Sequence, residues 1–272
     1  MKMLVACCVL SMLPMLTLAA EKDTGTFDSA GVKIAYDVAG QGETVILIHG
    51  LDSSAAMNWE LPGTFKELAE KYHVVALDLR GHGRSDKPEG DAAYGQPMVD
   101  DVLHLMDHLK IQKAHIVGYS LGGVIAMKFV SDHPDRTISL TLGGMGWLKD
   151  GSMLQAVWEK MGNRPAGAAS RPGRLGERMG GAHEGIAAPP AAMHGAAKLA
   201  LTEEQVMAIK TPIKILVGDH DPCKKMYVDP LIAVRKDIPV VTIEDAGHLN
   251  CITKPQFKDE LVKWIDANAT KH

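Results

Sequence analysis

A serine between glycines is the first group in this sequence that could do chemistry. Residues 118–123 read GYSLGG, after a short apolar run and before a helical pattern. So tight a turn from strand to helix strains the serine backbone, and side chains at Gly118 and Gly122 would collide with their surroundings. The pattern predicts that Ser120 is a nucleophile presented at this turn.

A serine hydroxyl is a weak nucleophile at neutral pH and needs a base within hydrogen-bonding distance. His248 ends the segment DAGH, after the last predicted strand and before the last predicted helix, where a loop can return to Ser120. His183, His194 and His220 are alternatives, but two lie in an irregular region and the third lies beside the candidate acids. We expect His248 to be the general base and the others to be solvated or structural.

The base in turn needs a carboxylate that orients its ring. Residues 218–222 read GDHDP and follow a predicted strand between the serine and the histidine. Asp219 and Asp221 both fit this position, and the one that is not the acid would be a turn residue binding local backbone amides.

Two backbone amides could stabilise the negative oxygen that forms when a serine attacks a carbonyl group. The amide of Leu121 begins the helix after the serine, where the helix dipole also favours negative charge. The amide of Leu51 lies in the segment HGLD, which follows another predicted strand, and Gly50 allows a close turn there. Each such donor contributes on the order of 100-fold to 1000-fold in rate. We expect His49 to brace this loop rather than transfer protons.

The elements that must position these groups alternate along the chain. Short apolar runs rich in β-branched residues predict parallel strands, and 26–28 and 32–38 predict an antiparallel hairpin at the sheet edge. The parallel strands are predicted at 44–48, 73–77, 114–117, 138–142, 213–217 and 240–243, and the helices at 61–71, 98–109, 121–132, 225–235 and 256–268. The fold class is therefore α/β, with a mostly parallel sheet of about eight strands flanked by helices.

One region interrupts the alternation. Residues 146–202 are rich in small residues, proline, arginine and methionine, with a helix predicted at 152–161 and no strand pattern, and helical character resumes near Ala196 and Glu203. We interpret them as a small cap inserted into a catalytic core of residues 21–145 and 203–272, while the composition of 164–192 also fits a disordered linker. Side chains that could line an acyl pocket, or else pack in the core, are Met57, Trp59, Met145, Trp147 and Trp158.

Several segments together resemble the α/β-hydrolase superfamily, over nearly all of the chain except its N-terminus and the cap. They are HGL at 49–51, DLRGHGRS at 78–85, GYSLGG at 118–123, GDHDP at 218–222 and AGH at 246–248. In similar sequences the aspartate before the proline is the acid, so the resemblance implies Asp221. Residues 78–88 also resemble epoxide hydrolases and haloalkane dehalogenases, but those families have an aspartate nucleophile. Ser120 therefore favours the serine-nucleophile branch, which is similar to esterases and lipases.

The resemblance implies hydrolysis of a carboxylic ester with a small or medium acyl group, through an acyl-enzyme on Ser120. The same residues would also serve a carbon–carbon bond hydrolase, a lactonase, an amidase or a perhydrolase, and the motifs do not separate these reactions. A ligand-binding protein without turnover is the alternative from another class. We expect a small-molecule substrate and no cofactor.

The first residues predict export. Met1 and Lys2 precede a mostly apolar stretch at 3–18 and then two alanines, a layout typical of a secretory signal peptide at 1–20. The stretch is shorter than the ~20 residues that span a bilayer, and Pro14 interrupts it. We therefore expect cleavage, a periplasmic or secreted protein, and no stable membrane insertion afterwards.

Two cysteines, Cys223 and Cys251, would remain after cleavage, close to the candidate acid and base. An isolated pair in an oxidising compartment is a disulfide candidate, and the alternative is two free thiols. Because the loops of the acid and the base must meet, we expect the disulfide.

Composition limits the partners. The chain has 272 residues, 46% of them apolar, which suffices for one sizeable core. A formal net charge of -4 without a basic run argues against nucleic acid and against an anionic membrane surface as partners. His104 and His108 lie four apart, but without the glutamate of a zinc-protease motif we interpret them as a solvated helix face. We expect no metal site, and the oligomeric state stays open.

Overall fold

The computed structural model describes residues 21–162 and 188–270. The predicted signal peptide at 1–20, the middle of the predicted cap and His183 lie outside the described residues. Within the described ranges, no helix combines the length and the apolar character that crossing a membrane requires.

One sheet of eight strands organises the chain. The strands are β1 (Asp23–Ser29), β2 (Val32–Ala39), β3 (Thr44–Ile48), β4 (His73–Leu77), β5 (Ala114–Tyr119), β6 (Thr137–Gly143), β7 (Ile213–Gly218) and β8 (Val240–Ile243). Their spatial order is β1-β2-β4-β3-β5-β6-β7-β8. β2 pairs antiparallel with β1 and β4, and all other neighbours pair in parallel. The predicted mostly parallel sheet with an antiparallel edge hairpin is confirmed.

Helices cover both faces of this sheet. The α-helices are α1 (Thr64–Ala69), α2 (Gln96–His108), α3 (Leu121–Asp132), α4 (Met153–Gly162), α5 (Pro190–Ala197), α6 (Glu203–Ala208), α7 (Asp229–Val234) and α8 (Pro255–Asn268). α2 and α3 contribute to one apolar cluster, and α1 and α8 contribute to another. Every residue of β3 and β5 is buried, because these central strands are covered on both faces.

Two helices differ from their predicted bounds. The helix predicted at 61–71 is reduced to α1, because Gly63 before it adopts a left-handed conformation with φ 82°. The helix predicted at 225–235 divides into a π-helical turn at Lys224–Val228 and α7. Pro230 near the start of α7 lacks the N–H group that a continuous α-helix would use.

The two ends of the segment between β6 and β7 contact each other where the segment meets the core. The indole N–H of Trp147 donates to the carbonyl of Leu201 over 2.8 Å, and Lys149 forms an isolated β-bridge with Leu201. The amide of Ala188 donates to the Asp52 carboxylate over 2.7 Å. The returning half of the segment therefore contacts the loop after β3, at the carboxyl end of the parallel strands, where open α/β sheets bind their ligands.

Candidate active site

Ser120 occupies the turn between β5 and α3. Its backbone has φ 53° and ψ -116°, and such a conformation costs a residue other than glycine roughly 1–3 kcal/mol. A Cβ atom at Gly118 would collide with the carbonyl of Gly122, and one at Gly122 would collide with the carbonyl of Ile48. The two glycines therefore make room for the strained turn that presents the serine.

Three side chains from separate loops meet at this turn. The Nε2 atom of His248 lies 2.9 Å from Oγ of Ser120, and its Nδ1 atom lies 2.9 Å from Oδ2 of Asp221. Asp221 is 3% exposed, whereas the His248 side chain is 27% exposed. The imidazole thus lies between a buried carboxylate and the hydroxyl, an arrangement in which Nε2 can accept the serine proton.

The two candidate aspartates contact different parts of the same loop. Asp221 contacts the ring of His248. Asp219 instead accepts hydrogen bonds from the backbone amides of Ala246 and Asp245 over 2.9 Å and 3.0 Å. The hydrogen bond from Ala246 and then that from Asp245 hold the pKa of the Asp219 carboxyl below its usual range. Asp219 therefore anchors the loop that carries the histidine.

The amides of Leu51 and Leu121 both lie beside Ser120. Leu121 follows the serine directly, and a Cβ atom built on Gly50 would lie 3.2 Å from Cβ of Ser120, so the turn of Leu51 touches the serine as well. Neither amide donates to another backbone group among residues 21–162 and 188–270. Both N–H groups are therefore available to a negative oxygen formed at Ser120.

Asn58 and His49 hold the loop after β3 in place. The side-chain oxygen of Asn58 accepts the amide of Gly50 over 2.8 Å. His49 accepts the amide of Leu79 at Nε2 over 3.0 Å and donates from Nδ1 to the carbonyl of Gly50 over 2.7 Å. Burial, reinforced by the neighbouring His82, lowers the pKa of His49 to about 3. The neutral ring braces the loop, and Asn58 is a contributor that the sequence reasoning missed.

Tyr119 was also missed. Its hydroxyl donates to the backbone carbonyl of His248 over 2.5 Å, and its ring is buried against Phe257. Burial raises the pKa of Tyr119 above its usual range, so the phenol stays a protonated donor. The motif around Ser120 leaves this position free, so no sequence signal indicates the contact.

Cys223 and Cys251 are free thiols, so the structure does not form the predicted disulfide. Cys223 packs against the cluster that contains α2 and α3, whereas Cys251 is buried in the cluster that contains α1 and α8. The two thiols therefore pack in different apolar clusters and are not bonded to each other. Burial, followed by the charge of Asp221, raises the pKa of each thiol to about 12.

The competing histidines that the structure describes lie away from the serine. His194 pairs with Asp91, with Nδ1 and Oδ2 2.9 Å apart. His220 is exposed and pairs with Asp219 over 2.8 Å.

His108 is exposed, as expected for a solvated helix face, whereas His104 is half-buried. Nδ1 of His104 lies 2.9 Å from the hydroxyl of Ser29, and Nε2 of His108 lies 3.3 Å from the hydroxyl of Tyr36. Both rings contact the edge hairpin, His104 through Ser29 of β1 and His108 through Tyr36 of β2.

The five side chains considered for an acyl pocket separate into two groups. Trp59, Met145 and Trp147 are buried in the core. Met57 is 38% exposed, and Trp158 is half-buried on α4. The first three pack the interior, and only Met57 and Trp158 present surface to solvent.

Comparisons with known proteins agree with this architecture. A family model described as alpha/beta hydrolase fold matches residues 43–174, which include the loop after β3 and the turn of Ser120. The fold superposes on an esterase from Thermogutta terrifontis with a TM-score of 0.74 and 25% identity, covering 92% of this chain and 99% of that one. The chain belongs to the α/β-hydrolase fold superfamily.

Curated relatives in the superfamily match over shorter regions. An uncharacterized protein of Mycobacterium tuberculosis is 42% identical over 42% of this chain and 33% of its own length. A 2-hydroxymuconate semialdehyde hydrolase of a Pseudomonas species is 35% identical over 48% of this chain and 47% of its own. The chain thus spans about a third to a half of the length of these relatives. These similarities support the interpretation that this protein is a hydrolase, but they do not identify the bond that it cleaves.

Proposed function

We propose that this α/β-hydrolase is a serine hydrolase that cleaves a carboxylic ester with a small or medium acyl group. One observation carries the proposal: Nε2 of His248 lies 2.9 Å from Oγ of Ser120 while Nδ1 contacts the buried Asp221. A nucleophile and a base at this distance can react once a carbonyl carbon is placed against the hydroxyl.

The reaction follows from these contacts. Oγ of Ser120 attacks the ester carbonyl while its proton passes to Nε2 of His248, and Asp221 stabilises the imidazolium that forms. The amides of Leu51 and Leu121 donate to the negative oxygen of the tetrahedral intermediate. His248 then protonates the leaving alcohol, and a water molecule activated by the same ring releases the acid from Ser120.

A carbon–carbon bond hydrolase is the second candidate. It is favoured by the match to a 2-hydroxymuconate semialdehyde hydrolase over about half of the chain. Ser120, His248 and Asp221 would act in the same way, but the leaving group would be a carbon atom rather than an alcohol oxygen. Product analysis on a panel of esters and lactones, with a vinylogous 1,5-diketone as the carbon–carbon substrate, separates the two: an alcohol released with the acid supports the esterase.

Labelling with a fluorophosphonate tests the activated serine without the choice of a substrate. Circular dichroism first establishes that the purified chain is folded, and peptide mass mapping locates the adduct. We expect one adduct on Ser120, absent in Ser120→Ala and strongly slowed in His248→Ala. Ser131→Ala, near the other end of α3, is the matched control and should react like the unmodified protein. A folded protein that is never labelled would contradict the proposal and favour a ligand-binding protein of this fold.

A further inference from the structure

A thiol that the proposed reaction does not use lies beside the candidate acid and base. Asp221, Cys223 and His248 each offer one ligand atom, and the three atoms lie within 4.8 Å of one another. Among the residues that the structure describes, no other group of three histidine, cysteine or acidic side chains meets this separation. The cluster combines a carboxylate, a sulfur and an imidazole around one point.

We propose that these three side chains bind a soft divalent cation such as Zn²⁺ or Cd²⁺, and that the bound ion inhibits the enzyme. Thiolate, imidazole and carboxylate are the ligands that Zn²⁺ prefers, at bond lengths of about 2.0–2.3 Å. Tetrahedral geometry then requires ligand atoms roughly 3.3–3.8 Å apart. The three ligand atoms, which now lie within 4.8 Å of one another, would reach this geometry if they moved together by roughly 1 Å. A fourth coordination position would stay open for water.

The local backbone favours such a site. The amide of Cys223 donates to Oδ1 of Asp221 over 2.8 Å, so two of the three ligands come from one ordered turn. The hydrogen bond from Tyr119 to the carbonyl of His248 holds the loop of the third ligand. Because the His248 side chain is 27% exposed and Cys223 is half-buried, an ion can reach the cluster from solvent.

The ion and the serine would compete for one tautomer of His248. In the proposed resting state, Nδ1 carries the ring proton and donates it to Asp221, and Nε2 is free to accept the proton of Ser120. An ion bound at Nδ1 requires the ring proton to move to Nε2, while the Cys223 thiol releases its proton to solvent. Nε2 then has no lone pair for the serine proton. Inhibition therefore rests on the proposed function, whereas binding of the ion does not.

Titration of the full chain with Cd²⁺, followed by the ultraviolet absorption of the cadmium–thiolate bond, tests binding without any enzymatic assay. We expect the unmodified protein to bind one more thiolate-ligated Cd²⁺ per chain than Cys223→Ser does. Alternatively, Cys223→Ser should bind that ion at least about tenfold more weakly. Cys251→Ser is the matched control and should bind like the unmodified protein. His248→Ala should weaken binding as Cys223→Ser does, which protects the test against misfolding of either variant. Equal binding by Cys223→Ser and Cys251→Ser, or no binding by the unmodified protein, would overturn the proposal.

Fluorophosphonate labelling in the presence of Zn²⁺ then tests inhibition. We expect Zn²⁺ to slow labelling of the unmodified protein and of Cys251→Ser, and to slow labelling of Cys223→Ser far less. Cadmium binding through Cys223 in a protein that is never labelled would support the metal site and contradict the serine-hydrolase function. Labelling that Zn²⁺ leaves unchanged, at concentrations that fill the site, would overturn the inhibitory role.

Discussion

The hydroxyl of Tyr119 donates a hydrogen bond to the backbone carbonyl of His248. Tyr119 immediately precedes Ser120, so two consecutive residues at the end of β5 present the nucleophile and hold the loop of the base. The distance between Oγ of Ser120 and Nε2 of His248 is thereby set by one rigid element, and not by two loops moving independently.

Replacing Tyr119 by phenylalanine removes this donor and leaves the carbonyl of His248 without it. We expect the free energy of unfolding to fall by about 1 kcal/mol and the labelling rate of Ser120 to fall about fivefold, which corresponds to a similar energy. Urea denaturation and labelling kinetics measure the two effects. Tyr36→Phe is the control, because Tyr36 lies on the edge hairpin and its hydroxyl contacts His108 of α2; it should leave the labelling rate unchanged. An unaltered labelling rate in Tyr119→Phe would show that the contact does not position the base.

The two aspartates near His248 should differ in their effect on rate. Asp221→Asn replaces the carboxylate at Nδ1 of the ring, and a loss on the order of 10⁴-fold in turnover is expected because the wrong tautomer is favoured. Asp219→Asn keeps one acceptor for the amides of Ala246 and Asp245, and should lose roughly tenfold or less. Steady-state kinetics on one ester substrate compares the variants. The opposite ranking would assign the acid role to Asp219.

Asn58 should contribute to the rate through the amide of Leu51. Asn58→Ala leaves the amide of Gly50 without its acceptor, which should lower the free energy of unfolding by about 1–3 kcal/mol. The turn that orients the amide of Leu51 then becomes less constrained. We expect kcat to fall by about tenfold or more, with a smaller change in KM, because the oxyanion exists only after the serine attacks. Asn268→Ala, on the distant α8, is the matched control. A change in KM alone would contradict this role for Asn58.

The buried His49 should make the protein less stable in acid. Burial and then the neighbouring His82 lower its pKa from 6.5 to about 3, so between these values the unfolded chain binds a proton that the folded chain does not. The free energy of unfolding therefore falls as the pH falls from about 7 towards about 4. His49→Gln should reduce this slope by up to about 1.4 kcal/mol per pH unit, as measured by urea denaturation at several pH values. A slope that is the same in His49→Gln would show that this histidine does not titrate on unfolding.

Export is the remaining prediction. If residues 1–20 act as a signal peptide, the chain expressed in a bacterial host should be recovered from the periplasm or the medium, with an N-terminus near Glu21 by mass spectrometry. Replacing Leu10 and Leu13 in the apolar stretch by arginine should retain the chain in the cytoplasm. Recovery of an uncleaved chain from the cytoplasm in both cases would contradict export.

The strand and helix patterns could be predicted because they depend on neighbouring residues. The bounds of β3, β4, β8 and α3 agree with the sequence prediction, since short apolar runs and helical periodicity are local signals. The helix predicted at 225–235 was wrong in part, because Pro230 interrupts it and the turn before Pro230 is π-helical. In the described part of the segment between β6 and β7, α4, α5 and α6 overlap the positions where the sequence predicted helical character, but no local signal predicted the start of α5 at Pro190.

Sequence by itself determined the α/β class, the strained turn around Ser120 and a short set of partners for it. Spacing alone left Asp219 and Asp221 open, although the family resemblance implied Asp221, and it is the tertiary structure that brings Asp221 to the ring of His248. Only the tertiary structure decided that Cys223 and Cys251 are free thiols. The physical reason is distance along the chain. Tyr119 and His248 are separated by 129 positions, and whether their atoms meet depends on how loops return to the sheet, which no local pattern encodes.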